Sequence, residues 1–141
     1  MTPDQKDTLR NTWQTVTSIA DEAAKLFYDR LFEIDPATQP LFARTAMPEQ
    51  RARLMAAIGL VIDRLDELEL IVPAIEALGR RHAGYGVTDA HYFSVGAALL
   101  WTLEQGLGEA WTPEAADAWS EAYTLVATTM RRAAAETPAA A

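Results

Sequence analysis

The sequence predicts an all-α single domain, and three observations carry that prediction. Apolar residues recur at three- and four-residue spacings along nearly the whole chain. No stretch alternates apolar and polar side chains as a half-buried strand does. Proline, glycine and capping hydroxyls punctuate the stripes where helices joined by short connections would begin and end. With 141 residues the chain suits one domain, and 50% hydrophobic residues supply a real core, so wholesale disorder is excluded.

Each element follows in order. Leu9, Trp13, Val16 and Ala20 mark the inward face of a first helix. It opens at Thr2-Pro3, since proline is tolerated where the backbone N–H has no partner. A second stripe, Ala24, Phe27, Leu31 and Ile34, stops at Asp35-Pro36, because proline disfavours a helical residue before it. Residues 36–40 read as a short turn that delivers Leu41 and Phe42. Pro48 opens a third helix with Leu54, Ile58, Val61 and Leu65 on one face. Pro73 begins a shorter one, in which Ile75, Leu78 and His82 share a face and Gly84-Tyr85-Gly86 forms the break. Thr88-Asp89 caps a long helix carrying Tyr92, Val95, Leu99 and Leu103, closed by Gly106 and Gly108. Thr112-Pro113-Glu114 restarts the chain with a capping hydroxyl, a first-turn proline and an acid at the positive helix end. The last helix carries Trp119, Tyr123, Val126 and Met130, and the chain is expected to fray after Arg132. The total is six or seven helices, with no internal repeat and no linker between domains.

Composition removes whole classes of function. Twelve Lys and Arg against twenty Asp and Glu give a formal charge of -8, and an acidic surface argues against nucleic acid and anionic membranes, which need basic patches. The absence of Cys removes disulfides, thiolate metal sites and thioether-linked cofactors. His82 and His91 are the only imidazoles. The first seven residues are polar, and no segment approaches the roughly 20 apolar residues that span a bilayer, so a cytoplasmic domain is expected. Gly84 and Gly86 follow a helix and do not make a phosphate-cradling turn. The acids form no convincing catalytic pair, and no Ser/His/Asp set can be assembled.

Three side chains stand out. His82 lines up with Ile75 and Leu78, so its ring points into apolar territory and needs a hydrogen-bond partner or a metal. His91, in the first turn of the next helix, reaches solvent more easily. Tyr28 follows Phe27 on the inward side of the second helix, and its hydroxyl requires a partner, of which a backbone carbonyl is one. Met55 and Met130 read as gap-filling core.

These pieces together resemble a globin, specifically the bacterial single-domain haemoglobins and the globin part of flavohaemoglobins. The resemblance is carried by Leu26-Phe27-Tyr28-Asp29-Arg30-Leu31-Phe32, Asp35-Pro36, Pro40-Leu41-Phe42, Arg81-His82-Ala83-Gly84-Tyr85-Gly86-Val87 and Ala90-His91-Tyr92-Phe93-Ser94-Val95-Gly96. The later part, from Leu78 through Trp119 and Tyr123, is also similar to neuroglobin. Roughly residues 3–132 are covered. Spacing is the more specific part: Pro36 lies eight residues after Tyr28, Phe42 six after Pro36, His82 thirty-two after Gln50, and Tyr92 ten after His82.

The resemblance implies the globin fold, a three-over-three helical sandwich of six to eight helices around a haem pocket. Residues 1–135 would be the globin domain and 136–141 a flexible Ala/Pro tail. His82 would be the axial metal ligand of a non-covalent haem b (iron protoporphyrin IX). Phe42 would stack on the haem face, and Leu54, Ile58, Leu78, Val87, Tyr92 and Val95 would line the apolar pocket. Arg53 and Arg81 would pair with the haem propionates, and Tyr28 and Gln50 would face the bound gas. Gln50, standing where neuroglobin-type iron has a second His, argues against a bis-His iron. Ala134 occupies the place of the Glu that holds the proximal His in flavohaemoglobins, so peroxidase-like chemistry should be weak.

The implied function is reversible binding of O2, CO or NO for oxygen storage, delivery, transport or sensing. One alternative is NO dioxygenation with a separate reductase, since no reductase domain is present. Another is a haem-free, globin-like sensor or scaffold. The chain would act as a monomer or a homodimer, and Trp101 and Trp119 suit either a dimer face or the core.

Overall fold

Among the residues that the computed structural model describes, 1–136, there are six α-helices, three short 3-10 segments and no strand. The helices are α1 (Pro3–Thr17), α2 (Ala20–Ile34), α3 (Met47–Asp63), α4 (Val72–Gly84), α5 (Asp89–Leu107) and α6 (Pro113–Glu136). The 3-10 segments are Pro36–Phe42, Leu68–Leu70 and Gly108–Ala110.

Local chemistry sets most of the boundaries. Thr2 and Gln5 cap α1 reciprocally: Thr2 Oγ1 accepts the Gln5 N–H at 3.1 Å and Gln5 Oε1 accepts the Thr2 N–H at 2.9 Å. The helix ends earlier than its apolar stripe suggests. Thr17 and Ser18 turn their hydroxyls back to the Gln14 and Thr15 carbonyls at 2.8 and 2.6 Å, so Ala20 opens α2 instead of closing α1. At the Asp35 corner, Thr38 Oγ1 donates to the Asp35 carbonyl at 2.7 Å and Ser94 Oγ donates to the Asp35 carboxylate at 2.6 Å. That ties the 3-10 segment to the start of α5. Gly86, at φ +91°, makes the turn between α4 and α5.

α4 packs on α6, α2 on α5 and α3, α5 on α6, and α1 on both α6 and α3. One core cluster joins Leu9, Trp13, Val16, Ile62, Leu65, Leu103 and Trp119. Trp119 is core: its Nε1 donates to Thr12 Oγ1 at 2.9 Å. Trp101 lies at 4.8 Å beneath the Arg30 guanidinium. α4 rests tightly on α6, where a Cβ added to Gly79 would run into the Met130 carbonyl oxygen.

The sequence reading frays the chain after Arg132, but α6 continues to Glu136. Ala133 follows Met130 on the same face and is buried, so the last turn is held by packing. Most of the Ala/Pro tail, residues 137–141, lies outside the described residues.

Candidate functional site

His82 sits in the last turn of α4 with its ring nitrogens in different roles. Nδ1 lies 2.8 Å from the Leu78 carbonyl. A carbonyl only accepts, so Nδ1 carries the proton and Nε2 presents a lone pair with no hydrogen-bond partner among the described residues. Burial is the main influence on its pKa and lowers it; the Leu78 carbonyl acts in the opposite direction, and the neighbouring Arg81 charge adds to the lowering. The ring is therefore neutral at pH 7. The carbonyl of His82 accepts the Val87 N–H at 3.1 Å, which folds the loop back under the helix. His91 has a separate task. Its Nδ1 accepts the Thr88 N–H at 3.0 Å and caps α5.

On the other side, α2 and the start of α3 bring Tyr28, Gln50 and Arg53 together. Tyr28 is 5% exposed. Gln50 Nε2 donates to Tyr28 Oη at 2.9 Å, and Arg53 donates to Gln50 Oε1 from Nη2 at 2.9 Å and Nε at 3.3 Å. Because Tyr28 Oη accepts here, its own proton is unspent, and it has no acceptor among the described residues. Burial raises the Tyr28 pKa above its ordinary value, with Gln50 and the Arg53 charge opposing, so the phenol stays protonated. Phe27 and Phe42 meet the Tyr28 ring edge-on, with centroids 4.9 and 5.4 Å away, and Phe32 lies at 6.1 Å. This aromatic shell fixes the ring.

The apolar residues expected to line a pocket divide among three core clusters. Phe42, Leu54 and Val95 pack with Tyr28. Leu78 and Tyr92 pack with Ile71, Ile75 and Met130. Ile58 packs with Leu9, Trp13 and Trp119. All six are only half-buried, as is Val87, while Arg53 and Arg81 are exposed. Helix α3 packs mainly on α2 and α1, and α4 on α6, while α3 meets the Ile75 cluster through Val61. Tyr28, and Leu78 one turn before His82, thus belong to different packed groups. Tyr92 Oη is buried and lacks a hydrogen-bond partner among the described residues, and burial raises its pKa.

Sequence reasoning missed the Arg53–Gln50 bond, although a spacing of three residues on one helix was a sufficient signal. It also missed Phe32 and the contact of Gly79 with Met130, which no local pattern announces.

A lone imidazole restricts what this site can hold. Among the described residues no three His, Cys, Asp or Glu side chains converge on a metal position. A metal bound by His82 thus needs most of its ligands from elsewhere, as a porphyrin provides. Two surface depressions of about 310 and 480 Å³ lie along α5 and α6 and along α6, and neither includes His82, Tyr28 or Gln50. Chemistry, and not cavity size, marks the site.

The sequence matches the family described as Globin over residues 25–130. Related proteins include the flavohemoprotein of Bacillus subtilis (strain 168), 34% identical over 72% of this chain and 26% of that protein. The chain thus spans about a quarter of the flavohemoprotein's length. The neuroglobin of Danio rerio is 28% identical over 90% of this chain and 88% of that one. A bacterial globin structure from Campylobacter jejuni matches at a TM-score of 0.84 with 22% identity, covering 96% of this chain and 97% of that chain, a likeness of fold. A family match that runs from before Tyr28 to Met130 and takes in His82 settles the classification: the chain belongs to the globin family.

Proposed function

We propose that this globin holds a non-covalent haem b in a cleft between α3 and α4 and binds a diatomic gas reversibly. Family membership supports haem and gas binding. The observation that carries the reading at this site is His82: neutral, half-buried, fixed through Nδ1, and with Nε2 free of hydrogen bonds among the described residues. When bound, haem supplies an iron with an open position for O2, CO or NO.

The chain's residues then have distinct tasks. The Leu78 carbonyl fixes the tautomer and orientation of the His82 ring and makes Nε2 a better donor. Phe42, Leu54, Ile58, Leu78, Val87, Tyr92 and Val95 keep water out of the cleft. Tyr28 offers its phenolic proton to a gas that carries partial negative charge, which favours O2 over CO; one such bond is worth roughly 0.5–1.5 kcal/mol, or about two- to tenfold in affinity. Arg81 and Arg53, both exposed, would meet the haem carboxylates, where such pairs add little. The absence of Cys leaves this attachment non-covalent.

A second reading, NO dioxygenation, is favoured by the same buried phenol donor, which retains O2 long enough for NO to arrive. Each turnover converts one NO, one O2 and one electron into one nitrate, and the electron would come from a separate reductase.

The test is a visible spectrum of the reduced protein before and after CO and O2. A broad ferrous band that sharpens and shifts with each gas is expected. Sharp, split ferrous bands before any gas is added would mean an internal sixth ligand and overturn the open site, and no haem band after reconstitution would overturn haem binding.

A further inference from the structure

We infer that Arg53 is a positioning residue for gas retention: its grip on Gln50 Oε1 decides which way the Gln50 amide faces and so keeps the Tyr28 proton free for the cleft. The inference rests on the haem reading above and extends it to a residue that reaches Tyr28 through Gln50.

The two ends of a primary amide are nearly identical in shape, so hydrogen bonding alone selects between its two orientations. In the observed one, Oε1 receives Arg53 Nη2 and Nε, and Nε2 donates to Tyr28 Oη. Tyr28 is then an acceptor toward Gln50. In the reversed orientation Oε1 would face Tyr28 and take the phenolic proton, leaving none for a gas. It would also turn Nε2 toward Arg53, donor against donor. Arg53 thus excludes the orientation that would silence Tyr28. No carboxylate is paired with Arg53 among the described residues, so its guanidinium is not committed elsewhere. It is exposed, which makes it replaceable without opening the core.

Arg53→Met, Arg53→Met with Gln50→Leu, and Tyr28→Phe separate this role from a structural one. In the haem-loaded protein, Arg53→Met should speed O2 release about two- to tenfold, the loss of one hydrogen bond. It should also raise the CO stretching frequency toward that of Tyr28→Phe. Adding Gln50→Leu removes the amide that captured the proton, so both readings should return toward wild type. A wild-type release rate in Arg53→Met overturns the inference, as does a double variant no slower than Arg53→Met. The Gln50 side-chain amide resonances of the full chain provide a reading without gas or haem. They should shift on Arg53→Met, and unchanged resonances overturn the role of Arg53 whether or not haem binds. No haem band in the wild type overturns instead the reading on which it rests.

Discussion

The two histidines show how much a single residue's surroundings decide. Both lie near helix ends, yet His82 uses Nδ1 on its own helix and leaves Nε2 without a hydrogen-bond partner among the described residues, whereas His91 uses Nδ1 to receive the Thr88 N–H. Replacing His91 with Ala removes a helix cap and should cost about 1 kcal/mol, seen as a lower melting temperature with an unchanged visible spectrum. Replacing His82 with Ala should do the reverse, abolishing the haem band while far-UV dichroism keeps its helical form. Retention of a normal haem spectrum by the His82 variant would remove it as ligand. The distinction was partly legible in sequence, because His82 continues the Ile75 and Leu78 face. The Gln50–Tyr28 and Arg53–Gln50 bonds were not: helix phase indicates which residues meet, but not which atom of an amide faces which neighbour.

At the scale of helices, α4 is positioned by what it lacks. Gly79 lets the α4 backbone rest on α6 at Met130, three residues before His82, and no side chain fits between them. Gly84, in the same helix, has nothing within 4 Å of its would-be Cβ. Gly79→Ala must push α4 off α6 and should cost about 2 kcal/mol, roughly 8 °C in melting temperature for a domain of this size. Gly84→Ala should leave the melting temperature unchanged or slightly higher, since Ala is the better helix former. A thermal melt of both variants checks this, and equal melting temperatures would show that the crossing tolerates a side chain. Helix starts were easier to read than helix ends. Pro3, Pro36, Pro73 and Pro113 mark element starts because their effect is local. The end of α1 was hidden because the apolar spacing from Val16 to Ala20 runs unbroken across the turn at Ser18 and Ile19. The end of α6 depends on burial of Ala133, which no local signal records.

The core of the whole molecule divides into three groups of buried residues, around Trp119, around Tyr28 and around Ile75, with Leu99 packed against the first two. Phe42, Leu54, Ile58, Leu78, Tyr92 and Val95, which the sequence assigned to a pocket, are among their half-buried members. A flat apolar ligand between α3 and α4 would add to the burial of all three and bridge two helices whose apolar meeting is through Val61. Haem should therefore act as part of the core as well as a gas site. A ligand that binds only the folded chain stabilises it by about 2.7 kcal/mol at a hundredfold excess over its Kd, roughly 10 °C here. The melting temperature should accordingly rise with free haem concentration. Protection of amide protons against exchange should rise most along α4 and the first half of α3, and little along α1. Equal melting temperatures with and without haem, or protection spread evenly over all six helices, would mean that the clusters do not meet at a ligand.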